Sequence, residues 1–92
     1  MAFDIVHDRL THRFTVAVDG ELCLLEYHLN DGVMTITHTG VPDAVGGRGI
    51  AASLVTAAFD AAREEGWKVV PRCAYAEAYV QKHRAEIGDL LA

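Results

Sequence analysis

The sequence predicts a single α/β domain of the α+β kind: a mainly antiparallel sheet, a helix after the third main strand, a further strand and a C-terminal helix. Three observations carry that expectation. The first half alternates polar and apolar residues around two tight-turn signals, Asp19-Gly20 and Asn30-Asp31-Gly32. A glycine-rich stretch, Gly46-Gly47-Arg48-Gly49, then precedes an apolar run at three- and four-residue spacing. Finally, 92 residues that are 51% hydrophobic and 23% charged suffice for one core and leave no room for a second domain, so residues 1–92 are expected to fold together.

Phe3 to His7 is a candidate short strand, and the polar Asp8 to His12 a loop after it. Arg13 to Val18 places Phe14, Val16 and Val18 on one face. Across the Asp19-Gly20 turn, Glu21 to Leu29 sets Cys23, Leu25, Tyr27 and Leu29 against Leu22, Leu24, Glu26 and His28. Val33 to Thr39 returns as the third arm, and Gly40-Val41-Pro42 ends it. From Ile50, the residues Ile50, Leu54, Val55, Ala58, Phe59 and Ala62 form the apolar face of a helix, with Ser53, Thr56, Asp60, Arg63 and Glu64 opposite and Gly66 as its cap. Trp67 to Cys73 reads as a short strand, in which Pro71 marks a sheet edge or a splayed end. Ala74 to Arg84 is rich in helix formers, with Tyr75 and Tyr79 one turn apart on one face, and Ala85 to Ala92 is expected as a helical or frayed tail.

Charge and composition narrow the function. Eight Lys and Arg against thirteen Asp and Glu give a net charge of −5, and no basic run occurs, so direct nucleic-acid binding is not expected. The N-terminal MAFDIVHD has neither a basic region nor an apolar export segment, and no stretch approaches the roughly 20 apolar residues that span a bilayer. A cytoplasmic protein without a membrane partner is the expectation. Cys23 and Cys73 lack a C-x-x-C spacing and read as free thiols in a reducing compartment. His7, His12, His28, His38 and His83 include no H-x-x-x-H pair, so no metal centre is expected. No apolar patch stands out as an interface, which leaves a monomer or a weak homodimer.

The chemistry-bearing segment is Thr39 through Ala51: a strand end, a turn, glycines and a helix start. The first N–H groups of a helix have no partner within it, and glycines let a ligand approach that backbone closely. With the partial positive charge at a helix start, such a segment can receive a pyrophosphate even on an acidic protein, and Arg48 could add a side-chain contact. A tight connection with no ligand explains the glycines equally well. No Lys-Ser or Lys-Thr follows them, and no G-x-G-x-x-G follows a strand, so triphosphate hydrolysis and dinucleotide binding are not expected.

Three ordered motifs now stand out: Thr37-His38-Thr39-Gly40-Val41-Pro42, then Gly47-Arg48-Gly49-Ile50-Ala51 ahead of Leu54-Val55, then Pro71-Arg72-Cys73-Ala74-Tyr75 with Tyr79-Val80-Gln81-Lys82-His83. Together they resemble the small GNAT-like N-acetyltransferases of the Gcn5-related superfamily, over roughly residues 5 to 85. The resemblance implies a truncated form of that fold, acetyl-coenzyme A or coenzyme A as cofactor, and a small-molecule amine or a basic, lysine-bearing peptide as acetyl acceptor. The superfamily loop, Gln or Arg, two residues, Gly, one residue, then Gly or Ala, falls on Gly46, Gly47-Arg48, Gly49, Ile50 and Ala51. Gly46 departs from the usual Gln or Arg. His83 is followed by Arg84 where the family tends to show proline.

In the superfamily the cofactor lies where two neighbouring strands splay, here Val33 to Thr39 and Trp67 to Arg72. The cofactor contacts implied are therefore His38, Thr39, Val41, Gly46, Gly47, Arg48, Gly49, Ile50 and Ala51, joined from the last helix by Tyr79, Lys82 and His83. Cys73 and Tyr79 are the implied catalytic residues. Cys73 could take the acetyl group as a thiolate and pass it on, given activation by Arg72, a histidine or the following helix start. In direct transfer Tyr75 or Tyr79 would supply the acid, and Glu26, His28 or His38 the base. A packed thiol, rim tyrosines, a coenzyme A-binding module without catalysis and an interaction domain that keeps only the fold are the alternatives.

Overall fold

The computed structural model describes residues 3–92, so the first two residues of the expected domain lie outside the described residues. Five strands lie in sequence order across one sheet: β1 (Val6–Asp8), β2 (Arg13–Val18), β3 (Glu21–Asn30), β4 (Val33–Gly40) and β5 (Lys68–Pro71). The first four pair antiparallel across tight turns, whereas β5 runs parallel to β4. Parallel neighbours cannot be joined by a hairpin, and α1 (Ile50–Glu65) is the crossover between them. α2 (Ala74–Ile87) follows β5.

The two-residue alternation decides which face is covered. Phe14 pairs with Leu25, Val16 with Cys23, and Met34 with Val69, so these buried residues line one side of the sheet. Ile50, Leu54, Val55, Ala58 and Phe59 of α1, with Ala76, Val80 and Ile87 of α2, close over that side as one cluster. Gly66 ends α1 in the left-handed region, φ 78°, its N–H donating to Ala62 O, as the sequence predicts.

One irregularity in the sheet matters for function. Tyr27 faces Ile36, but Glu26 faces His38, so Thr37 is an extra residue in β4. Beyond this bulge the faces exchange. Thr39, opposite buried Leu25, turns toward the helices and is half-buried, while His38 points outward and is exposed.

The sequence expectations need adjustment at both ends. The first strand is Val6–Asp8 rather than Phe3 to His7, because Phe3 and Ile5 pack against the core ahead of it. The C-terminal segment is neither frayed nor wholly helical: after Ile87 the chain makes a 3-10 turn at Gly88–Leu90, and Ala92 N–H donates to Val69 O at 3.0 Å. Ile87 and Leu90 are buried there, and Arg63 grips Asp89 through two contacts, at 3.0 and 3.3 Å. That guanidinium holds the Asp89 carboxyl below the ordinary carboxylate value.

The N-terminal edge is fastened by an aromatic cluster. His7 stacks on Phe14 with ring centroids 4.0 Å apart, and its Nε2 shares a 2.7 Å hydrogen bond with the Tyr27 hydroxyl. His12 stacks on the same tyrosine at 5.0 Å. Burial, and then the Arg9 cation, push the His7 pKa below its ordinary 6.5, with the nearby His12 acting in the same direction and Glu65 and Asp8 opposing. A histidine with a depressed folded-state pKa contributes its full stability above the unfolded value and loses it as pH falls through that region. Urea unfolding should therefore show lower stability at pH 5 than at pH 7.5, with a shallower drop in His7→Asn; equal drops in both proteins would contradict this role.

Candidate functional site

The sheet opens where β4 outruns β5. Their last pair is Ile36 with Pro71, and the Arg72 N–H donates to Ile36 O at 2.9 Å. Beyond it, β4 continues to Gly40 while the backbone after β5 turns away into α2 at Cys73. Proline cannot donate a ladder hydrogen bond, so Pro71 suits the place where pairing stops. The expected splay between the two strands is thus present.

Next to this opening lies a cavity of about 440 Å³. Thr39 and Val41 come from the end of β4, Gly46, Gly47, Gly49, Ile50 and Ala51 from the loop and the first turn of α1, and Tyr75 from α2. Gly47 and Gly49 have φ of 78° and 80°, and a side chain at either would meet nothing within 4 Å. Backbone conformation, not space, therefore requires glycine at both. No side chain caps the start of α1, and its first turn carries no acidic residue. Among the described residues, neither a cap nor an acid of that first turn compensates the partial positive charge there.

Gly46 has φ −67° and ψ 160°, an ordinary extended conformation, and a Cβ there would lie 3.4 Å from Asp43 O. Its departure from the family's Gln or Arg is therefore not imposed by the backbone. Arg48 is turned away from the cavity, its Nη1 bonded to Asp19 Oδ2 at 2.7 Å.

Cys73 occupies the N-cap of α2. Its Sγ accepts a hydrogen bond from Ala76 N at 3.4 Å and lies 3.5 Å from Thr39 Oγ1. The bulge makes that meeting possible, because an unbroken β4 would point Thr39 to the other face. The half-buried thiol is one side chain away from the glycine cavity, with a helix start, where negative charge is best tolerated, directly beneath it. Cys23 is fully buried in the core.

A second cavity, about 180 Å³, continues over Tyr75 between the helices and is lined by Ala52, Ala78, Tyr79, Lys82 and His83. Thr56 donates its hydroxyl proton to Ala52 O at 2.8 Å, so in the 2.8 Å bond between Thr56 Oγ1 and the Tyr79 hydroxyl the tyrosine is the donor. The Tyr79 ring stacks on His83, 4.2 Å between centroids, and on Phe59 at 5.8 Å. His83 Nδ1 in turn meets Glu86 Oε1 at 2.8 Å, and the helix kinks at His83, φ −118°. Tyr79, Lys82 and His83 thus share the second cavity, while Thr39, Val41 and the glycine loop share the first. Exposed His38 lines neither.

Four residues near this site escape sequence reasoning as cavity or loop contacts: Ala52, Ala78, Tyr75 and Asp19. Tyr75, which the sequence offers as a proton donor, joins the two cavities; its place one turn before Tyr79 is the signal for that position. Asp19 reads in the sequence as a turn residue and nothing more, and no local pattern foretells its contact with Arg48.

Comparison with known proteins bears on the family and the fold. A family model described as GCN5-related N-acetyl-transferase matches residues 13–90. Protein NATD1 of Gallus gallus is 38% identical over 82 residues, covering 86% of this chain and 74% of the relative. Protein NATD1 of Homo sapiens is also 38% identical over 82 residues, with coverages of 86% and 73%. The solution structure of a GCN5-like putative N-acetyltransferase from Staphylococcus aureus superposes with a TM-score of 0.76 at 26% identity, covering 98% of this chain and 88% of that one. With a family match over most of its length and a shared fold, the chain belongs to the GCN5-related N-acetyltransferase family.

Proposed function

We propose that the protein is an acetyl-coenzyme A-dependent N-acetyltransferase acting on an amine or lysine-bearing acceptor through an acetyl-cysteine at Cys73. The observation that carries this reading is the uncapped, acid-free start of α1 behind Gly47 and Gly49, opening into a cavity lined by Thr39, whose hydroxyl lies 3.5 Å from Cys73 Sγ. The amides from Gly47 to Ala51 receive the diphosphate, and the unpaired edge of β4 from Thr37 to Gly40 takes the pantetheine arm as an added strand would be taken. The second cavity, with Tyr79, Lys82 and His83, holds the nucleotide end. Tyr79 serves as a contact there, since its proton is already donated to Thr56.

In the first step Cys73 Sγ, as a thiolate, attacks the thioester carbonyl; its new S–C bond forms as the coenzyme's S–C bond breaks, and coenzyme A leaves as a thiol after taking up a proton. In the second step the acceptor's neutral amine attacks the acetyl-cysteine, a C–N bond forms, the amine proton passes to solvent or a base, and Cys73 departs as a thiolate again. The Ala76 N–H is in place to receive negative charge on Sγ in both steps. An acidic chain of this kind suits a basic acceptor in the cytoplasm.

Incubation with labelled acetyl-coenzyme A, without acceptor, followed by peptide mass spectrometry tests the reading. One acetyl group on the peptide bearing Cys73 is expected, and its loss when a cognate amine is added. Turnover with no label ever found on Cys73 would return the reaction to direct transfer, and no binding of coenzyme A by calorimetry would leave a role for the fold alone.

A further inference from the structure

The glycine loop is poorly anchored by its own residues. Gly46, Gly47 and Gly49 have no side chains, all three are exposed, and two of them take left-handed backbone angles that glycine leaves as readily as it enters. Arg48 is therefore the loop's one possible side-chain anchor. Gly46, Gly47 and Gly49 line the first cavity and Arg48 does not: its guanidinium reaches in the other direction, to Asp19.

Asp19 is a firm point of attachment. It occupies a two-residue turn between β2 and β3, with Val18 paired to Glu21 immediately behind it and its own φ at 51°. Backbone bonds hold the two ends of the loop, Gly46 N–H to Asp43 O at 3.1 Å and Ser53 N–H to Gly49 O at 3.0 Å, and a carboxylate on a closed hairpin holds its middle. With the Arg48 side chain drawn outward, Gly46, Gly47 and Gly49 are left lining the cavity.

We propose that Asp19 and Arg48 are a pair of positioning residues for the cofactor: their ion pair tethers the glycine loop to the β2–β3 turn and holds its backbone amides in the anion-receiving arrangement, without either side chain touching the ligand. The proposal rests on the cofactor reading above and adds to it a distal residue, on a different supersecondary unit, that sets cofactor affinity.

A double-mutant cycle read by calorimetry with coenzyme A tests it. Asn tolerates the left-handed conformation at position 19, so Asp19→Asn removes the charge while keeping the turn, and Arg48→Gln removes the other partner. Exposed ion pairs are weak, so each single variant should loosen coenzyme A by about 3-fold, and the double variant by the same factor rather than its square. The melting temperature of the ligand-free protein should not change, and the advantage of the unaltered protein should shrink to nothing near 1 M salt, where screening acts over about 3 Å. A large loss in Arg48→Gln with none in Asp19→Asn would show Arg48 gripping the diphosphate and overturn the tether. So would multiplicative losses, tighter binding in Asp19→Asn, or no change in any variant. If the unaltered protein fails to bind coenzyme A, the cofactor reading falls and the tether with it, a result distinct from binding that ignores both substitutions.

Discussion

Ala51→Asp should leave the protein folded and weaken coenzyme A on the order of 100-fold. Ala51 is the second residue of α1 and lines the first cavity, in a helix whose first turn has neither an acid nor a side-chain cap. An aspartate there complements the helix dipole, and at a first turn it is worth roughly 0.3–1 kcal/mol of stability. The same carboxylate competes for the amides on which the diphosphate depends. Two like charges about 4 Å apart repel by about 4 kcal/mol at an effective dielectric constant of 20, before screening, which is ample for two orders of magnitude in affinity. Ala51→Asn, of nearly equal size and no charge, should lose far less. Thermal melting and calorimetry on both variants check this: an aspartate variant that melts normally and binds coenzyme A as tightly as before would place the anion elsewhere.

Cys73→Ser is the second substitution with a large expected effect. Serine is among the better N-cap residues, so the start of α2, now capped through Sγ and Ala76 N, should be retained or slightly strengthened. A serine hydroxyl is a far poorer nucleophile near neutral pH, and without a thiolate the acetyl-enzyme cannot form. Turnover should fall by at least about 100-fold while coenzyme A affinity changes by less than about 2-fold, a loss confined to kcat. Normal turnover in Cys73→Ser would assign the thiol to packing and hand catalysis to direct attack by the amine. The serine variant is more informative than alanine, because alanine removes the cap together with the nucleophile.

The hairpins were legible because each arm alternates strictly and each turn carries residues suited to its backbone; Asp19 and Asp31 both lie at φ 51°, and Gly20 and Gly32 follow with positive φ. The helical spacing from Ile50 to Gly66 was equally plain. The bulge at Thr37 was not. The apolar alternation ends at Ile36, and Thr37-His38-Thr39 are all polar, so no apolar residue marks which face each one takes; the extra residue exchanges the faces, taking His38 out of the cavity and putting Thr39 beside Cys73. The C-terminal segment departs from a helical or frayed tail after Ile87 for a related reason. Its anchors, Ile87, Leu90 and the Arg63–Asp89 pair, are too few and too irregularly spaced for a periodic signal, and they acquire meaning only once α1 and β5 are placed beside them. The motifs located the glycine loop and Cys73, which owe their positions to local backbone, whereas Asp19 and Thr56 act across separations of 29 and 23 residues that no local pattern encodes.

An amide-resolved NMR titration of the ¹⁵N-labelled protein with coenzyme A tests the central claim most directly. The account predicts the largest displacements at the backbone amides of Gly47, Arg48, Gly49, Ile50 and Ala51, followed by those of Thr39 and Val41, with the outward face of β2 and β3 unmoved. Saturable binding that leaves those five amides in place, or displacements centred on the exposed face of the sheet, would contradict it.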